Sequence, residues 1–115
     1  MKKYFTTKEK ASMHDTTMPL LQSMYAEIKE LSKKKPDALV SKSKIKVANR
    51  LLEKVRAVLI DEASLEFLDL LDEDDMPQVS DVSIMLSQYL AAMKEFKYLH
   101  YGEYQGEYNV WVIEK

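Results

Sequence analysis

A mainly α-helical bundle of three or four helices, closed by a small C-terminal β-hairpin, is the fold class this sequence predicts. Three observations predict it. Apolar residues recur at steps of three and four along several long stretches, the pattern of helices that bury one face. Two glycines and three prolines in 115 residues leave long helices few interruptions. The last run, Tyr108-Asn109-Val110-Trp111-Val112-Ile113, is aromatic and β-branched, which favours strand. A chain of this length suits one domain with a core that needs no disulfide or metal.

The first 14 residues are polar and weakly periodic, so a flexible arm is expected there, with at most a helical turn opening at Thr7. Residues 15–100 should form the bundle. Thr17 and Pro19 resemble a helix start, because a threonine oxygen caps free amides and proline suits the first turn. Leu21, Met24, Ile28 and Leu31 carry the spacing onward to about Lys34, where Pro36 stops it.

The stretch from Ser43 to Leu71 is the expected centre of the bundle. Ile45, Ala48, Leu52, Val55 and Leu59 share one helical face, and Val47, Leu51 and Val58 widen it. Periodicity slips at Asp61-Glu62-Ala63-Ser64. One bent helix and two helices both fit; two are favoured, the second opening at Ser64 and carrying Leu65, Leu68 and Leu71.

Asp72 to Pro77 ends that segment. Ser80-Asp81 should cap the last helix, whose Val82, Met85, Tyr89, Ala92, Phe96 and Leu99 keep a three-four repeat. Residues 101–115 change character. A hairpin is expected, with residues 98–103 pairing with 107–113 around a turn at Gln105-Gly106. Tyr101, Tyr104, Tyr108 and Trp111 also keep helical spacing, but two glycines in seven residues weaken a helix by roughly 1 kcal/mol each. A lone two-stranded ribbon must pack on the bundle or on another chain. A last strand lying so near the end of the sequence would leave an open edge for a partner or for further chain.

Charge is the asymmetric feature. Nine basic residues lie between Lys33 and Arg56 against Asp37 and Glu53. Nine acidic residues and no basic one lie between Asp61 and Asp81, a separation hidden by the net charge of −2. Lys46, Arg50 and Lys54 share the outward face of the central helix and should form a basic ridge.

Most catalytic chemistry finds no foothold. With no cysteine, thiolate catalysis and cysteine-ligated zinc are excluded, and a reducing cytoplasm is the expected setting. Met1 to Thr6 lack the apolar core of a signal peptide, and no apolar run is long enough to span a bilayer. His14 and His100 stand in no helical metal-ligand motif, and His100 suits a helix C-terminus as a cation. An EF-hand loop counted from Asp72 would place Pro77 where glycine is required. There is no phosphate-binding glycine loop and no nucleophile elbow.

Non-catalytic protein binding is therefore the expected role, as a regulator, inhibitor, immunity factor or assembly subunit. The contact residues expected for it are Lys46, Arg50 and Lys54 on the ridge and Tyr104, Tyr108 and Trp111 on the tail. Polar-tipped aromatics are favoured at interfaces. No enzyme activity, cofactor, metal or membrane contact is expected; self-association through the last strand is a further option. The alternative is nucleic-acid binding by the basic face of residues 42–56, against which the neighbouring carboxylates count.

Overall fold

The computed structural model describes residues 3–114, and it is mainly helical with a C-terminal two-stranded antiparallel hairpin. Helix α1 spans Lys8–Lys34, α2 spans Lys42–Val58 and α3 spans Val79–His100; a 3₁₀ turn covers Ala63–Phe67. Strands β1 (Tyr101–Tyr104) and β2 (Glu107–Trp111) follow directly. The longest extent is 50 Å against 24 and 21 Å across, and α1 packs against both other helices. The central place expected of α2 thus belongs to α1.

The start of α1 departs from expectation. Thr7 Oγ1 accepts the Lys10 amide at 3.1 Å, and the helix runs from Lys8 through Pro19 without interruption. Residues 8–14 are therefore helix rather than arm. Thr17 is no cap; its hydroxyl donates back to the Met13 carbonyl at 2.7 Å. The seam residues Ala11, His14, Thr17 and Leu21 are all buried. Three of those four are small or polar, so the face has little hydropathic contrast. Tyr4 and Thr6 are held as well, by amide bonds to the carbonyls of Leu99 (2.8 Å) and Val112 (2.9 Å).

In α2 the expected stripe is present: Ile45, Leu52, Val55 and Leu59 are fully buried, with Ala48 and Val58 beside them. Burying each of the larger side chains contributes about 1.5–3 kcal/mol. Val47 is the exception at 65 % exposure, so the apolar face is narrower than the spacing suggested.

The chain does break after α2, as favoured, but no second α-helix follows. Beyond the 3₁₀ turn, residues 68–78 cross α2 and α3 as a strap. Leu68 and Leu71 still reach the core. Asn49 closes two bonds on the Leu71 backbone, Tyr89 Oη donates to the Asp69 carbonyl at 2.7 Å, and Arg56 donates to the Leu68 carbonyl. Those side chains satisfy the backbone groups that a helix would have paired with itself.

Helix α3 starts at Val79, ahead of the expected Ser80-Asp81 cap. Its first amides donate instead to the carbonyls of Ala38 (2.8 Å) and Pro36 (3.1 Å) in the α1–α2 connector. The hairpin turns where expected. Tyr104 pairs with Glu107 around Gln105 and Gly106, at φ 52° and 83°; two positive φ values match the twist of a two-residue hairpin loop. Between the Gly102–Val110 and Tyr104–Glu107 pairs, β2 carries one residue more than β1, and Asn109 takes φ 59° in that bulge. The edge beyond β2 is partly closed by a parallel bridge between Ile113 and Thr6.

Candidate interaction surfaces

Helix α2 presents two different sides. Asn49 and Arg56 face the acidic strap, while Lys46, Arg50 and Lys54 stand exposed on the outward face. Lys42 pairs with Asp74 at 3.6 Å, and Lys10 on α1 pairs with Asp61 at 2.5 Å. Part of the acidic segment is thus neutralised within the fold. Among the described residues Lys44, Lys46, Arg50 and Lys54 have no ion-pair partner. They form a ridge of unpaired cations along more than two turns.

Next to this ridge the α1–α2 seam opens into an apolar groove of about 330 Å³, whose walls include Met24, Ile28, Leu31, Val47 and Ala48. Val47 lies at its mouth, one turn from Lys44 and one from Arg50 on the same side of α2. This explains its exposure. The groove was not legible in the sequence, since Val47 fits the helical stripe and nothing local shows that the stripe is left partly uncovered.

The aromatic tail is mostly spent on packing. Trp111 is half-buried, its ring 5.1 Å from His14, 5.8 Å from Phe96 and 5.2 Å from Tyr101. Its Nε1–H donates to Asp15 Oδ2 at 3.2 Å. Tyr104 meets Phe5 edge to face at 5.7 Å. Tyr108 is 71 % exposed and is the one expected tail residue that stands clear. The hairpin continues from the C-terminal end of α3, whereas Lys46 lies in the first turns of α2, so the ridge and the tail do not merge into one site.

Both histidines occupy the hairpin end. His100 faces the Tyr4 carbonyl through Nδ1 at 2.8 Å and Glu62 Oε1 through Nε2 at 2.9 Å. It fastens three segments together, a larger task than capping α3. His14, 2 % exposed, donates Nε2–H to the Met93 carbonyl at 2.9 Å, while Nδ1 has no hydrogen-bond partner. Burial holds its proton affinity below that of a free imidazole, outweighing the Met93 bond and the Asp15 charge that favour protonation.

No protein-family model, curated protein or solved structure matches the chain. Among the described residues no helix is long and apolar enough to cross a membrane, and no three histidine or carboxylate side chains group as metal ligands.

Proposed function

We propose that this domain is a non-catalytic binding module that docks an acidic amphipathic segment of a partner protein along the α1–α2 groove. The carrying observation is Val47, 65 % exposed at the mouth of an apolar groove and flanked by unpaired Lys44 and Arg50. An amphipathic helix seats apolar residues at steps of three and four in such a groove. Carboxylates on its rim would meet Lys44, Lys46, Arg50 and Lys54, which sets orientation and speeds encounter more than it adds affinity. Tyr108 is a separate, peripheral contact. A cytoplasmic setting belongs to the same proposal and rests on the absence of cysteine.

The test is affinity capture from the native host with wild type, a K46E/R50E/K54E variant and a Val47→Asp variant, each checked for native circular dichroism. All four positions are exposed, so the variants should fold. Support requires a partner whose cross-linked segment is acidic and which both variants lose. A partner held equally well by the triple variant removes the ridge from the interface. The ridge also suits phosphate backbones, although the strap carboxylates beside α2 oppose them. A shift assay at low ionic strength that shows a salt-sensitive nucleic-acid complex would replace the protein-binding reading.

A further inference from the structure

Residues 66–76, the end of the 3₁₀ turn and most of the strap after it, carry the chemistry that the α1–α2 groove asks of an occupant. Glu66, Asp69, Asp72 and Asp75 are exposed, and none has an ion-pair partner among the described residues. Asp61 and Asp74 are already matched by Lys10 and Lys42. No basic residue lies within this segment, so its charge stays uncompensated. Helix α2 is in the opposite condition. Lys44, Lys46, Arg50 and Lys54 are exposed and unmatched, and Glu53 is the one carboxylate on the same helix.

Apolar exposure is the second, independent observation. Phe67 is 75 % exposed, more than any other large hydrophobic side chain among the described residues, and Leu70 and Met76 are exposed beside it. Aromatic side chains seated in apolar pockets supply most of the energy of protein interfaces. The groove offers such a pocket, walled by Met24, Ile28 and Leu31. The segment cannot fill the groove of its own molecule. Phe67 stands beside Gln88 and Ala91 of α3, whereas the groove opens between α1 and α2. On α2, Asn49 holds the strap and Val47 borders the groove; their directions differ by about 160° on the helix.

We infer that the occupant of the groove is a second copy of this chain. Residues 66–76 of one molecule seat Phe67 and Leu70 in the α1–α2 groove of the next, and their carboxylates face its lysine ridge. This names the partner for the docking role proposed above and rests on that role. The two surfaces lie on different sides of α2, so the contact is head-to-tail, and each added copy leaves one groove and one acidic segment open. Complementary potentials of this kind hasten encounter and fix register, and salt screens them.

Sedimentation of the full chain between about 10 μM and about 1 mM follows the assembly, in about 20 mM and about 500 mM salt. At low salt the mean mass should rise with concentration past that of a dimer, with a contact Kd of about 100 μM or tighter. High salt should weaken the contact about tenfold or more. K46E/R50E/K54E and E66K/D69K/D75K should each stay monomeric through like-charge repulsion. An equal mixture of the two should associate, because every mixed contact joins opposite charges. Phe67→Ser, which leaves those charges in place, should weaken the contact about tenfold or more, and Val47→Asp should abolish it. The inference is overturned by wild type that stays monomeric to about 1 mM, or by a mass that stops at the dimer. It is equally overturned by a mixture no more associated than its components, or by assembly that Phe67→Ser or Val47→Asp leaves unchanged. Monomeric wild type that still captures a foreign acidic partner, lost by Val47→Asp, removes the self-contact alone and leaves the docking role standing.

Discussion

The Asn49 side-chain amide reads the backbone of Leu71 in both directions, giving Nδ2–H to its carbonyl and taking its N–H on Oδ1, each at 2.8 Å. This pair fixes the strap that separates α2 from α3. It places Leu68 and Leu71 in the core and leaves the outward face of α2 to its lysines.

Asn49→Ala should therefore loosen the strap and cost about 1–3 kcal/mol, for two partly buried hydrogen bonds. Asn49→Asp should cost more than alanine, because one carboxylate oxygen would face the Leu71 carbonyl with no hydrogen between them. Urea unfolding measures the totals, and amide exchange at Leu71 locates the effect. If both variants unfold with wild type, the strap is not held from α2.

Helix α2 should respond to mutation in two distinct ways. Leu52 is fully buried, and Leu52→Ala should cost about 2–5 kcal/mol through lost burial and a residual cavity. Val47→Ala should change stability by about 0.5 kcal/mol or less, as an exposed site does. Thermal melts of the two variants side by side check this. Equal losses would mean that Val47 is covered after all.

His14 should make stability fall with acid. Its folded-state proton affinity lies below the ordinary value of 6.5, so the unfolded chain takes up the proton first. The contribution is complete above about pH 6.5 and is lost as pH drops from there towards the lower folded value, by up to about 1.4 kcal/mol per unit. The difference in unfolding free energy between wild type and His14→Phe, followed from pH 7.5 to 4.5, isolates the group. A pH-independent difference would mean that burial does not disfavour the charged ring.

The hairpin turn sets its own requirement. Gly106 sits at φ 83° with open space around its Cα, so Gly106→Ala meets no clash and still strains the backbone by about 1 kcal/mol. Gln105, at φ 52°, should be improved by Gln105→Asn, since asparagine tolerates that region. Exchange protection of the β2 amides should fall in the first variant and rise in the second. The reverse order would contradict the turn geometry.

What the chain could declare by itself was whatever its short-range chemistry carries. Ile45, Leu52, Val55 and Leu59 announce a buried helix face by spacing alone, and Gln105-Gly106 between β-prone runs announces a hairpin. The segregation of lysine from carboxylate is equally plain in the one-dimensional order. The rest was settled by groups remote in sequence. Helix α1 begins at Lys8, where Ala11, His14 and Thr17 are buried and His14 bonds the Met93 carbonyl of α3, although their hydropathy is nearly featureless. Residues 68–71 stay out of helix because Asn49, Arg56 and Tyr89 take over the backbone bonds of Leu68, Asp69 and Leu71, and α3 is capped by the carbonyls of Pro36 and Ala38. Val47, on which the proposed binding role rests, and the buried His14 look like ordinary seam residues until the helices are assembled. Periodicity reports which side of a helix is apolar; only packing decides how much of that side is covered, and which polar atom is left without a partner.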